Sequence, residues 1–67
     1  MSMYFYLCTE DGACFYGPEA RAVREAYKRH TDAIAVPILG SCTERAWDSR
    51  ESYLKQYGFA NTFTYTS

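Results

Sequence analysis

The stretch MYFYLCTEDGACFY, residues 3–16, decides the fold because it holds two strand-like segments around a turn. Asp11-Gly12 is a dipeptide that a two-residue type I′ turn prefers, since both central residues of that turn have positive φ. With these two residues as the loop, Cys8 and Cys14 point to opposite faces of the hairpin. We therefore expect a β-hairpin over residues 3–16.

Neither face of the expected hairpin is polar. One face carries Met3, Phe5, Leu7, Cys14 and Tyr16, and the other carries Tyr4, Tyr6, Cys8 and Phe15. Such a hairpin is either covered on both sides by its own chain or leaves one side for another molecule.

The next two elements are a helix and a strand. Pro18 suits the first turn of a helix, where its missing N–H costs nothing, and the apolar periodicity extends the helix over residues 18–30. Residues 33–39 form a β-branched run in which Ile34, Val36 and Ile38 alternate. We expect a strand here, which Pro37 either restricts to a sheet edge or ends early.

A second helix and a last strand complete the pattern. Ser41 and Glu44 have the spacing of a capping box, which predicts a helix over residues 42–57 with Gly58 as its left-handed C-terminal residue. Residues 59–66 alternate between aromatic residues and mostly threonine, which predicts a strand.

The predicted fold is a small α+β domain in ββαβαβ order, with a four-stranded sheet. Right-handed connections between parallel neighbouring strands would place both helices on one face. The other face of the sheet would then stay open.

Composition limits the classes of function. Seven Lys and Arg residues against eight Asp and Glu residues give a net charge of −1, too weak a field for non-specific binding to nucleic acid. Three cysteines without framework spacing, no secretory signal and no apolar run of the roughly 20 residues that cross a bilayer predict a reduced, cytoplasmic protein without membrane association.

The leading functional hypothesis is a protein-binding module without catalysis. The chain has seven tyrosines, four phenylalanines and one tryptophan, more rings than a domain of 67 residues can bury. Arg50 projects among the rings of the second helix, where it can either direct binding or cover the rings with its stem. The predicted contact residues are Tyr4, Tyr6, Phe15, Trp47, Arg50 and Tyr53.

The expected partner is a larger protein or a second copy of the chain bound at the open sheet face. Small regulators and inhibitors that phages use against host enzymes or defence complexes have this general character, and such a protein would act in the host cytoplasm. Exposed aromatic surface is the physical basis of the hypothesis.

Two alternatives belong to other classes. Arg21, Arg24 and Lys28 form a basic ridge that, with exposed tyrosines, could bind single-stranded nucleic acid, although such ridges are more often solvated helix faces. Cys42 at a helix N-terminus, with His30 as a base, could serve a thiol enzyme or redox protein, although a cysteine there is more often an apolar filler.

We expect no metal ion and no cofactor. Cys8, Cys14, Cys42 and His30 have the chemistry of a zinc site, but the chain lacks a C-x-x-C pair. The expected hairpin register also separates Cys8 from Cys14.

Overall fold

The structure, a computed structural model, describes residues 2–67. Within that range four strands and two α-helices follow one another in ββαβαβ order. The elements are β1 (Met3–Cys8), β2 (Ala13–Gly17), α1 (Ala20–Thr31), β3 (Gly40–Thr43), α2 (Trp47–Gln56) and β4 (Thr62–Tyr65). The predicted α+β class, with a four-stranded sheet and two helices, is confirmed.

The hairpin forms as predicted, but its register differs by one residue. Cys8 lies opposite Cys14, and Leu7 lies opposite Phe15. The prediction that Cys8 and Cys14 face opposite sides is therefore wrong, because a shift of one residue moves every side chain of a strand to the other face. Both thiols are on the same face of the sheet.

The register changes because the hairpin loop has three residues, 10–12, instead of two. The Thr9 N–H donates to the Ala13 carbonyl over 2.7 Å, and the Ala13 N–H donates to the Thr9 hydroxyl over 3.1 Å. The Thr9 hydroxyl also bonds to the Asp11 carboxylate. Of the two turn residues, Gly12 has a positive φ of 93° and Asp11 does not. A three-residue loop with one left-handed glycine satisfies these bonds.

The third strand lies further along the chain than predicted. Residues 33–39 are irregular, and β3 begins at Gly40, where it pairs antiparallel with β1. Pro37 has no N–H to donate to a ladder. Position 40 needs glycine, because the ring of Tyr6 on β1 occupies the space that a Cβ would need.

The second helix consequently begins later than predicted. Residues 41–43 belong to β3, so the predicted capping box at Ser41 is wrong. The hydroxyl of Thr43 accepts instead from the Ala46 N–H over 3.2 Å and starts a 3₁₀ turn, Glu44–Ala46, which leads into α2. At the other end Gly58 has a φ of 73°, which confirms it as the left-handed residue that follows the helix.

The two helices lie on opposite faces of the sheet. The ring of Phe15 is 5.4 Å from that of His30 on α1, whereas the next residue, Tyr16, stacks on Trp47 of α2. Consecutive residues of a strand point to opposite faces. The predicted arrangement, with both helices on one face and the other face open, does not hold.

The strand order explains why each face carries a helix. The sheet runs β3-β1-β2-β4, with β2 and β4 parallel and the other two pairings antiparallel. The connection through α1 crosses the sheet from β2 to β3, and the connection through α2 crosses back from β3 to β4. Both connections join parallel strands and have the same handedness, but they cross the sheet in opposite directions. Their helices therefore lie on opposite faces of the sheet.

We predict that Gly17→Ala destabilises the fold by at least about 2 kcal/mol, because an added methyl group must displace backbone. Gly17 is buried, and a Cβ there would overlap the carbonyl oxygen of Thr66, whose N–H donates to Tyr16 over 2.7 Å. Urea unfolding measures the change. Ser49→Ala, on the exposed side of α2, is the control. Equal urea midpoints for the two variants would contradict the close packing of Gly17 against Thr66 at the end of β4.

Candidate functional site

An apolar groove lies beside β1, between residues 33–39 and the C-terminal end of α2. Its volume is about 370 Å³, and it includes Thr9 and Glu10 at the hairpin end. The apolar groove is lined mainly by Tyr6, Cys8, Pro37, Ile38, Leu54 and Phe59. The groove thus combines three separate parts of the chain, and Glu10 is the one charged residue among the described residues that line it.

Residues 33–39, which we call the apolar loop, contribute Pro37 and Ile38 to one wall of the groove. Ile34 is 98% exposed and Ile38 is 97% exposed, and they are the only isoleucines of the chain. The loop begins where Asp32, with a φ of 57°, ends α1 through an N–H bond to the Lys28 carbonyl. The sequence pattern predicted these side chains on one face of a strand, and the structure places them in solvent.

The opposite wall follows from the way α2 ends. The left-handed Gly58 turns the chain back, and the Phe59 N–H donates to the Leu54 carbonyl over 2.9 Å. Leu54 is buried, while Phe59 remains 53% exposed at the groove. The sequence correctly predicts that Gly58 follows the end of α2. The turn at Gly58 places the ring of Phe59 at the groove, although the sequence pattern assigned Phe59 to a strand.

Trp47 holds α2 against the sheet. Its ring stacks on Tyr16 at a centroid distance of 4.4 Å and an interplanar angle of 18°, and it also lies within 6.2 Å of Tyr4, Tyr6 and Phe63. Trp47 is 4% exposed, so this predicted contact residue lies inside the domain. Its indole N–H has no hydrogen-bond partner among residues 2–67.

Two other predicted contact residues meet beside the groove. The guanidinium of Arg50 lies 6.0 Å from the ring centroid of Tyr6, which lines the groove. Burial raises the pKa of the Tyr6 hydroxyl, and the Arg50 charge acts in the opposite direction. Tyr6 therefore stays neutral at physiological pH and offers a hydroxyl rather than a charge.

The remaining predicted contact residues are spread over the domain. Tyr4 is half-buried on the α2 side, where burial and the neighbouring Glu44 carboxylate raise its pKa. Tyr53 is exposed and lies 4.8 Å from the ring of Tyr57. Phe15 packs on the opposite face against His30. The six residues do not form one continuous surface.

The basic ridge lies on α1, away from the tyrosine cluster. Arg21 and Arg24 are exposed and Lys28 is partly exposed, but α1 covers the face opposite Tyr4, Tyr6 and Tyr16. Binding of single-stranded nucleic acid needs cations and stacking rings along one path. The arrangement does not bring these residues together.

Cys42 and His30 are also separated. Cys42 lies in β3 opposite Tyr4, before the first turn of α2, and burial raises its thiol pKa. The Nε2 atom of His30 is 2.9 Å from an Asp11 carboxylate oxygen on the α1 side of the sheet. Neither the helix dipole nor the imidazole is available to activate Cys42.

The four residues weighed as zinc ligands do not converge either. Cys8 and Cys14 share the α2 face, contrary to prediction, whereas His30 lies on the α1 side. Over residues 2–67 the structure shows no cluster of three or more His, Cys, Asp or Glu side chains that could hold a metal ion.

Comparison of the chain with protein-family models, with curated proteins and with solved structures found no match. Neither helix in the described part of the chain is long and apolar enough to span a membrane. A functional assignment therefore depends on the geometry of the groove and the residues around it.

We predict that Trp47→Ala lowers the free energy of unfolding by about 3–5 kcal/mol, because it removes the ring that joins α2 to the sheet and leaves a cavity. Tyr57→Ala, which truncates a 60% exposed ring near the end of the same helix, is the matched control and should change it by less than about 1 kcal/mol. Circular dichroism during urea unfolding measures both. A similar decrease in the free energy of unfolding in the two variants would contradict the role of Trp47.

Proposed function

We propose that the chain is a small protein-binding module, without catalysis, that regulates or inhibits a larger protein by covering part of its surface. The observation that carries the proposal is the exposure of Ile34 and Ile38 in the apolar loop, together with the apolar groove that Ile38 lines. Binding would cover the apolar loop and insert apolar side chains of the partner into the groove.

The free-energy balance supports a partner for the loop. Complete burial of an isoleucine side chain contributes about 1.5–3 kcal/mol, and this domain leaves both of its isoleucines in water. The buried apolar residues are few: Leu7, Cys14, Val23, Trp47, Leu54 and Ala60. A domain of this size is marginally stable, so apolar surface left outside the core favours a role in contact with another molecule.

The groove is large enough to take apolar side chains of a partner protein. A volume of about 370 Å³ is near the lower end of the roughly 300–1,000 Å³ range of ligand cavities. Apolar anchor residues that enter such a cavity from a partner commonly supply most of the binding energy of an interface. Arg50 beside Tyr6 adds a cation at the rim, which favours a carboxylate on the partner near that position.

The distribution of polar groups supports a function without catalysis. Cys42 and His30 lie on different faces of the sheet, and His30 is already paired with Asp11. Three cysteines without the spacing of a disulfide framework are typical of a reducing compartment, so we propose that the module acts in the cytoplasm.

The test compares the wild-type chain with the double variant I34S/I38S as bait in a nuclease-treated cell extract. We expect the wild type to retain a stoichiometric protein partner and the double variant to bind that partner at least about tenfold more weakly, because two apolar anchors are lost. Quantitative mass spectrometry identifies the partner, and calorimetry with the purified partner gives the two dissociation constants.

Ala35→Ser is the matched control, because it adds a hydroxyl to an exposed position of the same loop and should leave binding unchanged. Both variants should unfold within about 0.5 kcal/mol of the wild type, as expected for exposed positions. Equal affinity of the wild type and I34S/I38S for the captured partner, or loss of all binding after nuclease treatment, would overturn the proposal.

A further inference from the structure

Cys8 and Cys14 form a cross-strand pair with the geometry of a disulfide site. They lie directly opposite each other in β1 and β2. The adjacent residues Thr9 and Ala13 are joined by a backbone hydrogen bond, so by the alternation of antiparallel pairs Cys8 and Cys14 form a non-hydrogen-bonded pair. Such pairs have Cα separations of about 4.5 Å, and disulfides need roughly 4.4–6.8 Å.

We propose that Cys8 and Cys14 form a reversible disulfide in the folded protein by exchange with small-molecule disulfides such as oxidised glutathione. Both thiols are free in the structure. The inference depends on the hairpin register and is independent of the proposed binding function.

The two cysteines differ in access, which assigns their roles. Cys14 is fully buried, whereas Cys8 is half-buried and lines the apolar groove. A small disulfide that enters the groove therefore meets Cys8 first. The proximity of Cys14 lowers the pKa of Cys8, whereas Cys8 and burial raise the pKa of Cys14, which favours Cys8 as the attacking thiolate.

The exchange balances in two steps. The Cys8 thiolate attacks one sulfur of glutathione disulfide, so a mixed disulfide forms and one glutathione leaves as thiolate. Cys14 then gives its proton to the released glutathione thiolate and attacks the Cys8 sulfur of the mixed disulfide, which forms the Cys8–Cys14 bond and releases the second glutathione as thiolate, which takes up a proton from solvent. The protein loses two hydrogen atoms, and one glutathione disulfide is reduced to two glutathione thiols.

Cys42 supplies an internal comparison. It lies on the same face of the sheet, but its cross-strand partner is Tyr4, so no second thiol is paired with it. Burial raises its pKa, which lowers its reactivity. We therefore expect oxidation to be confined to Cys8 and Cys14.

The experiment equilibrates the folded protein and the urea-denatured chain with glutathione buffers of graded redox ratio, followed by acid quenching, alkylation and mass spectrometry. Cleavage after arginine and lysine separates the thiols, because residues 1–21 contain Cys8 and Cys14 and no cleavage site before Arg21. We expect that peptide to lose two hydrogen atoms in the folded protein at an oxidised-to-reduced ratio at least about tenfold lower than in the denatured chain.

Two variants complete the test. Cys42→Ser should form the disulfide at the same glutathione redox ratio as the wild type. Cys14→Ser should retain a glutathione adduct on Cys8. The proposal is overturned if the folded protein needs a redox ratio equal to or higher than that of the denatured chain, if wild-type Cys8 retains glutathione, or if the disulfide formed includes Cys42. The measurement on the wild type decides the question even if Cys14→Ser does not fold.

Discussion

The stacking of Trp47 on Tyr16 is the interaction on which the rest of the structure depends. Helix α2 has only ten residues and rests on the sheet through large rings, with Leu54 as its other buried side chain. The Trp47 ring lies over β1 and β2 and reaches Phe63 of β4, so a single side chain connects the helix to three strands. The position of α2, and hence one wall of the apolar groove, follows from this contact.

Two crossovers in opposite directions divide the apolar residues of a short chain between two faces. Leu7 and Val23 are buried on the α1 side, while Cys14, Trp47 and Ala60 form the core on the α2 side. Because each face of the sheet has so few buried side chains, neither set of them extends far enough to cover the apolar loop. The exposure of Ile34 and Ile38 is thus a consequence of the topology, and we propose that evolution has used it for binding.

The sequence predicted the parts of the fold that depend on local signals. Helix α1, the hairpin, the last strand and the glycine that ends α2 each have periodicity or turn residues that act within a few positions. The hairpin register was missed because the Thr9 side chain, and not only Asp11-Gly12, decides the loop length.

Non-local pairing explains the other differences. The β-branched residues of the apolar loop have strand propensity, but β3 is built from the smaller residues that follow, because Gly40 leaves room for the ring of Tyr6. The candidate site was missed for the same reason, since its isoleucines were assigned to a strand. Pro37 in the middle of the run was the available signal against a strand, and composition alone could not reveal which rings would be buried with Trp47.

The central claim is that the two isoleucines lie outside the core, and methyl NMR tests it directly. Because the chain has only these two isoleucines, isoleucine-specific labelling gives signals from the apolar loop alone. A soluble paramagnetic agent should broaden the methyl signals of both Ile34 and Ile38 strongly, whereas those of the fully buried Val23, labelled separately, should stay sharp. Protection of either isoleucine to the level of Val23 would contradict the account.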